Sequence, residues 1–513
     1  MTGCGSSSDA TSTAPPAATA PAAPAKTAAS ELAVDEVAVY QAVKATIVSA
    51  GAPVALAKQN APIIAGRPAF VRVFVKAIGR TRPMIEGELH VKRAGKPELV
   101  LKDSGRSVVP ELDDSSLDDT LNFTVPAEDM TADATFSVKA AVKLDSGDVI
   151  RFPADGSALS FNAKTASQKL RVEFVPITYS ADPTASPLTP DLGDQAALKQ
   201  TLYTLYPTAE VDITVRAGFT WSSPVKADGP GWDALLNGVM ELRRADKVDP
   251  SVYYVGVFTP VATLDQFCAS GGCILGIAPQ ADELHVNMRA ALVLGYKNRS
   301  AGSTLAQELA HAMGRAHAPC GNPQAVDTDF PYTSGGIGVW GYDIVAKTLI
   351  DPGNRYRDFM SYCGPTWTSD YTFKGIYDRM ELVTKQVAAA AAAGAGMPAA
   401  GGSGSGAASA IEVRHSFTIA KDGTVSQGPD LEVLSGESRE SPSPSEQAAV
   451  SYEGANGKVF ATAKGRIVPV SGTGSRIVVA PMAPAGATHV RLSGSSIAST
   501  PLLTALRSAS LAH

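Results

Sequence analysis

The stretch "TLAQELAHAMGRAHAPCG", Thr304 to Gly321, gathers residue types that bind a metal and move a proton. On a helix, positions four apart share a face, so Gln307 and His311 would project side by side. Glu308 would lie about 100° further round, next to that pair. Gly314 can take the left-handed conformation that ends a helix, and His317 could then return from the far side. A catalytic zinc site needs three protein ligands, an open position for water and a base for that water. His311, His317 and Gln307 are the candidate ligands and Glu308 the candidate base. Gln307 is the weak member, because an amide oxygen is a poorer donor than an imidazole nitrogen of similar reach.

About forty residues on stands "DFMSYCGP", containing Met360, Tyr362 and Cys363. Glu308-x-x-His311-x-x-Gly314-x-x-His317 followed by this segment resembles the elongated motif and Met-turn of the metzincin zinc endopeptidases. The resemblance covers roughly residues 168–390. It implies Zn2+ as cofactor, a protein or peptide substrate, Glu308 as general base and Met360 beneath the metal. Tyr362 would contact the metal or the oxyanion. A Cys320–Cys363 bridge would be similar to that of pappalysin-like members. The family carries His where this chain has Gln307, which leaves two readings. One is a zinc endopeptidase with weakened activity; the other is an inactive pseudopeptidase serving as a cell-surface binding module. A rescuing ligand could come from Asp282, Glu283 or His285 in "ADELHVN". "DTDFPYTSGGIGVWGYD" is expected to line the pocket behind His317, with Trp340 and Tyr342 as walls or core and Asp327 and Asp329 as calcium candidates.

The elements that must position these groups follow from hydrophobic period. Residues 34–167 alternate as short strands ("PAFVRVFVKA", "GELHVKRA", "TLNFTVPA", "TFSVKAAVKL") and read as an immunoglobulin-like β-sandwich. From 168 to 387 strands alternate with helical periods: "KLRVEFVPITY", "DQAALKQTLYTLY", "EVDITVRAG", "GWDALLNGVMELRRAD", "SVYYVGVFTPV" and "RAALVLGYK". That order indicates an α/β unit with a largely parallel sheet, closed by the helix "DYTFKGIYDRMELVTKQVAAA". Residues 388–410 read as an Ala/Gly/Ser linker and 411–513 as a second β-sandwich. The expected class is therefore multidomain α+β, a metzincin-like α/β catalytic domain flanked by two immunoglobulin-like sandwiches.

Composition narrows the partners. The 513 residues carry 44 basic and 50 acidic side chains, a net charge of -6, with no Lys/Arg cluster, which argues against nucleic acid. No apolar run reaches the roughly 20 residues that cross a bilayer. Cys4 in "MTGCGSSSDA" precedes a Pro/Ala/Thr-rich tether over residues 1–33 and resembles the end of a bacterial lipoprotein signal, without its charged and apolar regions. A lipid on Cys4 is the one membrane connection expected. Four further cysteines allow three pairings; their arrangement suggests Cys268–Cys273 and Cys320–Cys363. Stable disulfides imply an extracytoplasmic place, on the cell envelope or secreted.

Overall fold

The computed structural model describes residues 32–77, 82–108, 111, 113–144, 149–165, 169–269, 273–297, 301–353, 355–395, 411–434, 438, 447–494 and 498–505. Cys4, almost all of the tether and residues 396–410 of the expected linker lie outside them.

The site is carried by a six-stranded sheet built on Lys169–Tyr179. This strand pairs in parallel with Glu210–Val215 and Phe219–Trp221 on one side and Val252–Phe258 on the other. Val252–Phe258 pairs in parallel with Ala290–Leu294, and the short edge strand Gly276–Ile277 runs antiparallel to it. Val252–Phe258 and Ala290–Leu294 are almost wholly buried, because helices cover both faces. Helix α1 (Gln195–Leu205) starts at Asp194, whose carboxylate accepts from the amides of Ala196 and Ala197. Its Leu198, Leu202 and Leu205 pack in one core with Leu305, Ala306 and Leu309 of a later helix. Helix α2 (Trp232–Ala245) buries Leu235, Leu236, Val239 and Met240 against the opposite face. Each such side chain contributes about 1.5–3 kcal/mol by leaving water. Helix α3 (Leu264–Phe267) is a single turn, α4 (Gly302–Ala312) carries the site, and α5 (Asp370–Ala395) continues into the expected linker.

The expected fold class does not hold. Among the described residues strand accounts for 40% and helix for 18%, and the strands fall mostly in curled antiparallel sheets. The N-terminal strands form two sheets, one of which is completed from far along the chain. Gly341–Asp343 pairs with Ala42–Ser49, and Thr348–Ile350 pairs with Gly341–Asp343 in turn. The middle third thus lends strands to the N-terminal third, and no self-contained α/β domain ends where helical period ends. The C-terminal strands make one antiparallel sheet of eight rather than two facing layers. Its residues Leu431, Val433, Val468, Val470, Ile477 and Val479 share a core with Ile277, Ala281 and Met288 of the central region. Local alternation identifies strands but not which sheet they join, and here the joins cross the expected boundaries.

Candidate functional site

Helix α4 ends where the sequence places Gly314. The Gly314 amide donates to the His311 carbonyl at 2.7 Å and the Arg315 amide to the Ala310 carbonyl at 2.9 Å, the bond pair of a Schellman turn. Gly314 has φ +78°, and a Cβ there would lie 2.5 Å from Nη2 of Arg379. The reversal brings His317 back onto His311, and their Nε2 atoms stand 3.1 Å apart. Each Nδ1 is committed elsewhere. That of His311 donates to the Arg315 carbonyl and that of His317 to the Gln324 carbonyl, both at 2.6 Å. A carbonyl only accepts, so each Nδ1 carries the ring proton, and two bare Nε2 lone pairs face one another. Burial, reinforced by the neighbouring His317, holds His311 well below the ordinary imidazole pKa, and burial lowers His317 too. A shared proton is therefore disfavoured, whereas a metal cation would satisfy both nitrogens.

The donor set is unusual for a metal. Among the described residues no three His, Cys, Asp or Glu side chains converge. Gln307, one turn before His311, supplies the remaining candidate; its amide nitrogen is buried without a hydrogen-bond partner. The two imidazoles would suit a divalent cation, with the Gln307 amide the remaining candidate ligand. Glu308 lies buried beside them, and loss of hydration pushes its carboxyl up to about 8 although the Ser471 hydroxyl donates to Oε2 at 2.8 Å. A Cβ on Gly276 would lie 2.6 Å from the Glu308 Cγ, so only glycine leaves the glutamate room.

The downstream turn lies against the segment that carries His317. Met360 is buried, its amide donates to Asp358 at 2.8 Å, and its carbonyl accepts from Ala318 at 3.1 Å. Cys320 and Cys363 are bonded, and the Tyr362 amide donates to the Cys320 carbonyl at 3.0 Å. The half-exposed Tyr362 ring lies 5.0 Å from that of His317. Its phenol is shifted upward by burial and then by the charge of Glu308. Gln307 and Tyr362 border a cleft of about 750 Å3, whose wall includes Thr304, Leu275 and Trp367. The second expected bridge, Cys268–Cys273, is also formed.

Other candidates sit elsewhere. His285 and Asp282 pair at 2.5 Å, and Arg466 binds the second Asp282 oxygen at 2.9 Å. Burial opposes ionisation of Asp282, but His285 and Arg466 outweigh it and hold the carboxyl far below the usual range. Glu283 accepts from Ser438 at 3.2 Å. None of the three joins the imidazole pair. Tyr342 stacks on Phe70 at 4.2 Å with Trp340 packed beside it, so this aromatic pair is core rather than pocket wall. Asp327 accepts from the Asp329 amide and the Tyr371 hydroxyl, at 3.0 and 2.9 Å. Sequence reasoning missed Ser471, which lies 163 positions from Glu308 and in a segment that reads as an ordinary turn between strands.

No protein-family model matches this sequence, and no curated protein matches it. Two disulfides are formed, and among the described residues no helix is long and apolar enough to cross a membrane. Both are compatible with an extracytoplasmic protein.

Proposed function

We propose that the chain is an extracytoplasmic zinc-dependent endopeptidase of metzincin type. The observation that carries this reading is the pair of buried Nε2 atoms held 3.1 Å apart. His311, His317 and Gln307 would hold the ion, with Met360 packed below. Zinc bound there would supply a Lewis acid for a peptide carbonyl and lower the pKa of water. Glu308 takes the proton of the attacking water and returns it to the leaving amine, while the Tyr362 hydroxyl donates to the oxyanion. Lipid attachment through Cys4 would place the enzyme on the bacterial cell envelope; without it the protein would be secreted.

A second reading has its own support. With no third His, Cys, Asp or Glu at the pair among the described residues, the fold would serve as a non-catalytic surface binding module. Metal content and cleavage of unfolded casein separate the two, read on wild type, Glu308→Ala and Gln307→His. Zinc in the wild type, with cleavage lost in Glu308→Ala, supports the peptidase. A zinc-free, inactive wild type beside a zinc-loaded, active Gln307→His supports the binding module.

A further inference from the structure

The segment Pro469–Ser475, between the C-terminal strands Val459–Pro469 and Arg476–Pro481, lies across the site. The Gln280 amide donates to the Pro469 carbonyl at 2.8 Å, and Pro279 and Val470 form an antiparallel bridge. The Ser471 amide donates to the Ala278 carbonyl at 2.9 Å, and the Ala278 amide donates to the Ser471 hydroxyl at 2.7 Å. That hydroxyl donates onward to Glu308. A Cβ on Gly472 would stand 3.0 Å from the Gly276 carbonyl, and one on Gly474 would stand 2.6 Å from the Gln324 side chain. Asp233 on α2 anchors the far end, accepting from Thr473 at 3.3 Å and Ser475 at 2.5 Å. Ser471, Thr473 and Ser475 are all buried.

Main-chain bonding to the stretch Ala278–Gln280, which follows the edge strand Gly276–Ile277, uses the contacts by which a peptide ligand adds to a fold. Here the added segment is the chain's own, and its serine caps the carboxyl assigned as the base. We infer that Pro469–Ser475 is an internal latch, occupying the backbone of Ala278–Gln280 so that an extended peptide reaches Glu308 only after displacing it. Being tethered, it competes at an effective concentration that a free peptide must exceed, on the order of millimolar for short connections. Gly472 and Gly474 both have positive φ and shape the turn between Val470 and Ile477. The inference rests on Glu308 being the working group of the site.

The test uses full-length wild type, Gly472→Trp and Asp233→Ala. The second variant introduces no bulk and covers the case in which the first fails to fold. Hydrogen exchange at the Ala278 and Gln280 amides reports whether the segment has loosened. A fluorescein-labelled peptide copying Ile467–Ser475 then probes the vacated stretch, and casein cleavage with added zinc is read alongside. The expected result is faster exchange and at least tenfold tighter peptide binding in the variants, with cleavage rising in parallel. Tighter binding without any cleavage upholds the latch and removes the peptidase reading. Faster exchange without tighter binding overturns the latch, as does unchanged exchange in both variants.

Discussion

Replacing Gln307 by His should convert a weak metal site into a strong one. The imidazole pair is already arranged: both Nδ1 protons are tied to carbonyls at 2.6 Å, which fixes the tautomer and aims both Nε2 atoms inward. Two of three ligands thus pay no ordering cost. The third position is half-buried on the cleft wall, and its amide nitrogen has no hydrogen-bond partner to lose. Loss of a mere supporting partner costs a metal site about 10–100-fold, so exchanging amide oxygen for imidazole should restore at least that. At about 1.4 kcal/mol per tenfold, the gain is roughly 1.4–2.8 kcal/mol. A competition titration of Zn2+ against a chromophoric chelator reads it directly, with His311→Ala in both backgrounds as control. Equal affinities for wild type and Gln307→His, or an affinity that His311→Ala leaves untouched, would refute the claim that the facing nitrogens cradle a metal.

Other perturbations probe the base, the turn and the neighbouring charges. Glu308→Gln should lower casein cleavage by about 10²–10⁴-fold while zinc content stays at the wild-type level; an unchanged rate rejects Glu308 as the proton carrier. Gly314→Ala must hold a Cβ at φ +78° against Arg379, so the urea midpoint should drop by the equivalent of about 1–3 kcal/mol. Asp282 has a folded pKa below its unfolded value of about 3.9. Its stabilisation is therefore complete above pH of about 4 and fades as pH falls through the folded value. Melting temperatures between pH 7 and 2 should show wild type ahead of Asp282→Asn at neutral pH, with the gap closing in acid; a constant gap contradicts the Arg466–Asp282–His285 arrangement.

Much of the local chemistry was legible because it is written in consecutive residues. The i, i+4 spacing of Gln307 and His311, the helix stop at Gly314 and the return of His317 lie within eleven positions, and covalent geometry leaves them few alternatives. The strands Lys169–Tyr179, Val252–Phe258 and Ala290–Leu294 declared themselves by β-branched runs. Partnership between distant segments did not. "YDIVAKTLI" alternates like any hairpin, and nothing in it specifies that Tyr342 will stack on Phe70 in an N-terminal sheet. The fold class failed for that reason: it was assembled from local period, whereas strand membership was decided by long-range packing.

Ser471 carries the same lesson into the site. "PVSGTGS" has the composition of a turn, and a turn it is, yet its Ser471 hydroxyl ends on Glu308, the carboxyl proposed as the base. The two halves of the site then make physical sense together. Facing imidazole lone pairs would be relieved by a cation, and a carboxyl whose pKa is raised by burial favours its neutral form, for which a neutral donor is a sufficient partner. A serine hydroxyl meets that need, whereas a lysine or arginine at position 471 would favour the carboxylate and compete with the metal for it. If the proposed latch lifts and a cation binds, an uncharged serine would leave the acid free to ionise, so serine at 471 is compatible with the proposed metal loading.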